Sequence, residues 1–167
     1  MKNRIRLPHY LLAVVIVLAI VTSCSKNSSN SGNSSDSTAA YASATANLTA
    51  SAWKYDTSGL DTNNDGKIDQ GGDTTVVPLC ERDDSWTFNK DNTGVANTGT
   101  LHCKVGEAQT TSFTWSLSSD VKTLKASFNP VLQAGVNVLL LDANHLSVSR
   151  DSTLLGVTYR YIVSLKH

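Results

Sequence analysis

Between residues 85 and 165 apolar and polar side chains alternate with period two, and this alternation constrains the fold more than any other feature of the chain. Trp86 and Phe88 alternate with Ser85 and Thr87, while Phe113, Trp115 and Leu117 alternate with Ser112, Thr114 and Ser116. Successive side chains of a strand point to opposite faces, so each run reads as a strand with one buried face. Leu124, Ala126 and Phe128 continue the series, followed by Val136 to Leu141, Leu146 with Val148, and Val157, Tyr159, Tyr161, Val163 and Leu165. Asp91-Asn92-Thr93-Gly94, Ser118-Ser119-Asp120 and Asp142-Ala143-Asn144 separate the runs with residues that suit turn dihedrals. Links this short join antiparallel neighbours, because parallel pairs need long crossovers. The expectation is an all-β domain over residues 48–167, a small antiparallel up-and-down barrel of about eight strands whose closure removes exposed edges.

The N-terminus has a different character. Lys2, Arg4 and Arg6 form a positive head, and Leu11 to Val21 is almost wholly aliphatic and ends in the small pair Thr22 and Ser23. A membrane-spanning helix needs about 20 apolar residues, and this run is about half that before the polar tract begins. It has the layout of an export signal over residues 1–23. Val21-Thr22-Ser23-Cys24 resembles the lipobox of bacterial lipoproteins, which implies cleavage before Cys24, lipidation of that cysteine and a membrane-held mature chain. Residues 24–47 are rich in Ser, Asn, Thr and Ala and read as a flexible linker with little apolar surface to bury. The expected address is the outer membrane, lipid-anchored, on its periplasmic side or at the cell surface. Formal net charge is zero, and past the N-terminal head no Lys/Arg cluster offers a footprint for nucleic acid.

With Cys24 assigned to lipid, Cys80 and Cys103 remain as an even pair in an oxidising compartment, and the expectation is one disulfide. His102 beside Cys103 raises a metal reading, but a zinc site needs a fourth ligand and no C-x-x-C spacing is present.

Three segments together resemble a known family. Leu48-Thr49-Ala50-Ser51-Ala52-Trp53-Lys54-Tyr55, Cys80-Glu81-Arg82-Asp83-Asp84-Ser85-Trp86-Thr87-Phe88 and Phe113-Thr114-Trp115-Ser116-Leu117 are similar to the opening strand, central motif and following strand of lipocalin-like lipoproteins of Gram-negative bacteria. The resemblance implies a small up-and-down barrel whose first strand carries a tryptophan near the barrel floor, the place of Trp53. It brings no settled substrate.

Two readings of the interior stay open. In one, Trp86, Phe88, Phe113, Trp115 and Tyr159 line a partly open cavity for a small apolar ligand. In the other, they form a packed core, and the domain serves as a structural or protein-interaction module. An enzyme is not expected. His102, His145 and His167 are scattered and no serine or cysteine sits in a nucleophile motif. Asp83 and Asp84 are adjacent, and on a strand they would face opposite ways. Asp36-Ser37-Thr38, Asp73-Thr74-Thr75 and Asp151-Ser152-Thr153 are similar to a bacterial O-glycosylation signal, a pattern that a chain rich in Ser and Thr also produces by chance.

One loop carries metal-binding spacing. In Asp61-Thr62-Asn63-Asn64-Asp65-Gly66-Lys67-Ile68-Asp69, oxygen-bearing side chains stand at positions one, three, five and nine, with glycine at six and an apolar residue at eight. An EF-hand-type loop needs that pattern to wrap a hard cation. Position twelve is Gly72 instead of a bidentate Glu, and Asp73 comes one place late. The calcium reading takes Asp61, Asn63, Asp65, the Lys67 carbonyl and Asp69 as ligands of a structural Ca²⁺, with Asp73 closing the shell. The alternative is a solvated loop in which Asp, Asn and Gly serve turn geometry.

Overall fold

The computed structural model describes residues 34–71, 77–154 and 156–167. The strands are β1 (Trp53–Asp61), β2 (Gln70–Gly71), β3 (Ser85–Phe88), β4 (Thr93–Asn97), β5 (Thr110–Leu117), β6 (Thr123–Ala126), β7 (Val136–Leu141), β8 (His145–Leu154) and β9 (Val157–Lys166). Two helices, α1 (Ser34–Leu48) and α2 (Pro130–Ala134), and a 3-10 turn at Leu79–Glu81 complete the description. All neighbours are antiparallel, from β3 to β9 in sequence order. β1 pairs with β3 on one edge and with β9 along Lys54–Asp61 on the other, so eight strands close into a ring. The ninth, β2, extends the edge of β1 beyond β3, pairing Gly59 with Gly71 and Leu60 with Gln70.

Antiparallel order sorts the connections to the two ends of the ring. At the Trp53 end lie the turns after β3, β5 and β7 and the chain end His167. The Asp61 end carries the long segment between β1 and β3, the loop between β4 and β5, α2, and the β8–β9 hairpin.

The alternation read in the sequence is the alternation of burial. Along β5, Phe113, Trp115 and Leu117 are buried and the residues between them are exposed. These side chains join Trp53, Phe88, Leu124, Ala126, Leu146 and Leu165 in one core. Phe88 meets Phe113 and Trp115 edge-on, with centroids 5.3 and 5.8 Å apart, the arrangement ring quadrupoles favour.

Residues 34–48 correct an expectation. Where composition reads as a flexible linker, the chain forms α1, with Tyr41, Ala44 and Leu48 packed into or against the core. The cause lies in spacing and propensity. Ala is the strongest helix former, and Tyr41, Ala44 and Leu48 recur at helical intervals on one face. The anchor follows: the Trp53 indole N–H donates to the Leu48 carbonyl at 2.9 Å, which ties α1 to the start of β1. The folded part therefore begins upstream of residue 48. α2 is likewise absent from the sequence reading. It starts after Asn129, whose side chain accepts the Val131 N–H, with Pro130 at the first helical position. Residues 72–76 lie outside the description, and Leu79 opens the 3-10 turn before β3.

Close approach at Gly59 lets the segment after β1 fold back over the outer face of the ring. A methyl group at this position would run into the Gln70 carbonyl oxygen and the Ile68 side chain. Because the nearest obstacle is backbone, Gly59→Ala is expected to destabilise the domain by about 1–3 kcal/mol. Urea denaturation measures the loss, and an unchanged midpoint would show that the loop is not seated on β1.

Candidate functional site

The structure separates the residues expected to line a cavity. Phe88, Phe113 and Trp115 are 3–5 % exposed and pack on one another. Trp115 is fixed further, its indole N–H shared between the Asn89 and Thr93 carbonyls at 3.1 and 2.9 Å. Trp86 is half-buried and stacks on Phe128 at 6.3 Å, and Phe128 contacts Phe113 at 4.7 Å. Tyr159 stands apart on β9 opposite Ser152, outside the core. Four of the five aromatic residues thus form one continuous packing unit. On the outer surface of β4 and β5 a depression of about 430 Å³, lined by Thr93, Val95, Ser112 and Ser127 among others, is open to solvent.

The second candidate is the loop that leaves β1 at Asp61. Asp61 is 2 % exposed, and its carboxylate gathers the loop: Oδ1 accepts the Asp65 N–H at 3.2 Å and Oδ2 the Gly66 N–H at 2.9 Å. Asn63 Oδ1 accepts the same Asp65 N–H at 3.0 Å, and Asp65 Oδ1 accepts from Lys67 at 2.9 Å. Positive φ at Asn64 and Gly66 makes the turn. Asp69 faces Thr62, whose hydroxyl and N–H donate to Oδ2 at 2.7 and 2.8 Å and hold its pKa below the usual carboxylate value. Arg160 on β9 lies 3.6 Å from Asp61 Oδ2 and hydrogen-bonds Asp151 on β8 at 2.9 Å. One cation thereby ties the loop to two strands. Among the described residues no three His, Cys, Asp or Glu side chains are gathered closely enough to hold a metal ion. Asp73 lies outside the described residues.

The third lies at the Cys80–Cys103 disulfide, which is formed as expected and closes a sequence separation of 23 residues. It joins the 3-10 turn before β3 to the loop between β4 and β5. Asp83 and Asp84 are in the turn ahead of β3, not on the strand. Asp83 is exposed and accepts three hydrogen bonds from Thr100 and Leu101. Asp84 is half-buried, and burial together with the charges of Glu81, Asp83 and Glu107 pushes its pKa up to about 6. Arg82 lies over the Tyr55 ring at 5.1 Å, and its Nε donates to the Val77 carbonyl at 3.3 Å. The sequence shows these groups as neighbours but carries no sign that Asp84 turns inward.

The histidines do not assemble. His145 pairs with Asp142 at 3.4 Å on the surface, His167 lies 3.7 Å from the Trp53 ring, and His102 belongs to the disulfide loop. Among the described residues no helix is long and apolar enough to cross a membrane. The expected signal and Cys24 lie outside the described residues. No protein-family model matches the chain, and no curated protein is similar enough to count as a relative.

Proposed function

We propose that this chain is a lipid-anchored protein of the cell envelope, held through Cys24 at the outer membrane, on its periplasmic side or at the cell surface. Its ring of strands is a lipocalin-like β-barrel used as a scaffold for interaction with another envelope component and not as a carrier. One observation carries the choice between carrier and scaffold: Phe88, Phe113 and Trp115, the inward residues that would line a ligand cavity, fill the interior against one another. The signal layout and the lipobox-like Val21-Thr22-Ser23-Cys24 support the anchor. Of the exposed large apolar residues, Leu79, Leu101, Val105, Val131 and Val157 belong to connections at the Asp61 end or the strand ends next to them, while Val95, Leu139 and Leu140 lie on β4 and β7. The majority supports that end as the one presented to a partner.

Detergent phase partitioning tests the anchor. The full chain is expected in the detergent phase and Cys24→Ser in the aqueous phase; equal partitioning would overturn it. Native mass spectrometry of protein purified without added ligand tests the scaffold reading, with the mass of the unliganded chain expected. A stoichiometric apolar molecule that co-purifies would restore the carrier, with the half-buried Trp86 and Phe128 as its nearest aromatic surface.

A structural calcium ion in the Asp61 loop is part of the same proposal. What supports it is the central placement of the buried Asp61 carboxylate, with Asn63 and Asp65 oxygens on the same tight turn. The ion would supply charge that orders the loop, with no role in bond making.

A further inference from the structure

The two segments joined by Cys80–Cys103 bring like charges together. Glu81, Asp83 and Asp84 belong to the turn before β3; Glu107 closes the opposite loop, which also carries His102 and Lys104. Two of the carboxylates are fixed as acceptors. Asp83 Oδ2 takes the Thr100 and Leu101 N–H groups at 2.6 and 3.0 Å and the Thr100 hydroxyl at 2.9 Å. Glu107 Oε2 takes the Cys103 and Lys104 N–H groups at 3.0 and 3.3 Å. Such bonds favour the ionised carboxylate, and for Asp83 they hold the pKa below its usual value. The approach is tight, since a methyl group on Gly99, at φ +61°, would run into Asp83.

Asp84 is the group left over. Its Oδ1 is buried and has no hydrogen-bond partner, and it faces the charges of Glu81, Asp83 and Glu107, with His102 opposing them. Arg82 beside it lies over Tyr55 and donates from Nε to Val77; its Nη2 is also buried without a hydrogen-bond partner, and among the described residues it makes no ion pair with these acids. The disulfide therefore closes a loop beside a carboxylate whose ionisation is opposed first by burial and then by the charges of Glu81, Asp83 and Glu107.

We propose that this cluster makes the Cys80–Cys103 bridge an acid-strengthened redox latch. When Asp84 carries a proton the loop over residues 98–107 stays docked and the disulfide resists reduction; when Asp84 is ionised, the cost of burying its unpartnered carboxylate, with repulsion from its acidic neighbours, favours the opened dithiol form. In the redox step a dithiol reductant gives up two electrons and two protons. The Cys80–Cys103 sulfur–sulfur bond breaks, each cysteine takes one proton and one electron, and the reductant closes into its own disulfide. With the covalent tie gone, the loop keeps the Asp83 hydrogen bonds and the strand pairing at its base, and the part around Cys103 is released from the turn before β3.

The direction of the pH effect follows from linkage. In the bridged form Asp84 holds its proton up to about pH 6, whereas in the opened form it returns toward the ordinary value of 3.8. Between those two values the bridged form binds more protons. Lowering pH through that window therefore favours the bridge beyond the proton uptake of the thiols themselves, and raising pH above it completes the loss.

The test equilibrates the full chain in detergent with mixtures of reduced and oxidised dithiothreitol at pH 4.5 and 7.5, traps thiols by alkylation and counts them by mass spectrometry. Comparing each variant with wild type at the same pH cancels the intrinsic thiol contribution. At pH 7.5 the bridge of Asp84→Asn is expected to be harder to reduce than that of wild type, on the order of tenfold after allowance for solvent screening. At pH 4.5, inside the window between 3.8 and about 6, the difference is expected to be severalfold smaller than at pH 7.5. A ratio that does not change with pH, or a bridge weakened by Asp84→Asn, would overturn the latch. Should Asp84→Asn fail to fold, Glu81→Gln reads the same repulsion with the same sign. A carbon-detected NMR titration of Asp84 in wild type is independent of both variants. Its pKa is expected to fall on reduction, and an unchanged value would also overturn the proposal.

Discussion

Trp53→Ala is expected to lower the unfolding free energy by about 3–5 kcal/mol, a large share of the roughly 5–15 kcal/mol that holds a domain of this size together. The residue joins three parts of the molecule. Its side chain is fully buried in the core, its indole N–H donates to the Leu48 carbonyl at 2.9 Å, and its ring lies 3.7 Å from His167. Truncation leaves a hollow at the Trp53 end of the ring and a buried carbonyl without a donor, two losses that add. Trp53→Phe separates them, because it keeps most of the ring volume and removes only the donor; about 1–2 kcal/mol is expected. Urea unfolding followed by the fluorescence of Trp86 and Trp115 gives both values. Amide exchange supplies the local readout: protection over residues 41–48 should fall in Trp53→Ala more than protection along β8 and β9. A loss below about 1 kcal/mol would show that α1 is held by other contacts.

The strands were legible because their signal is local. Phe113, Trp115 and Leu117 announce one buried face with no knowledge of what they pack against, and the burial of β5 reproduces that pattern residue by residue. The short turns announced antiparallel order in the same way. α1 was hidden by a different balance. The Ser, Thr and Asn content of residues 24–47 argues for a solvated chain, and the counter-signal is only three residues, Tyr41, Ala44 and Leu48, whose worth depends on a core they meet in three dimensions. Tertiary packing outweighed composition there.

The candidate sites divide along the same line. The disulfide followed from counting cysteines, and the loop motif from spacing along the chain. Register decided the rest. Asp61 meets Arg160, and Arg160 meets Asp151, because β1, β9 and β8 pair at those positions, and a one-residue slip would move Arg160 to the other face. The turning of Asp84 toward the disulfide loop depends on a bridge whose geometry is not written in its neighbours. The cavity reading joined five aromatic residues by their alternation and by the family resemblance. Alternation gives the face of a strand but not the height along the ring, which is why Tyr159 was grouped with residues it does not reach.

Removing the carboxylate at the start of the loop should cost nearly as much as removing Trp53. Asp61→Ala is expected to destabilise the domain by about 2–4 kcal/mol, the range for leaving two backbone donors without their charged, buried acceptor. The side chain is 2 % exposed and accepts the N–H groups of Asp65 and Gly66 at 3.2 and 2.9 Å. Without it both donors lose their acceptor, and Arg160 keeps only Asp151. Asp61→Asn retains an oxygen for one donor and gives up the charge, so about 1–3 kcal/mol is expected. Arg160→Met, which removes the cation but keeps most of the stem, should fall between the two if the ion pair dominates and below both if the backbone hydrogen bonds dominate. Thermal melts with millimolar calcium or with a chelator then separate the ion from the loop. Under the calcium proposal the wild type melts higher with calcium, and Asp65→Ala, which spares the Arg160 contact, abolishes the increment. Identical melts in both conditions would end the calcium proposal and leave the cost of Asp61→Ala standing, because that cost arises from hydrogen bonds and an ion pair made by the chain itself.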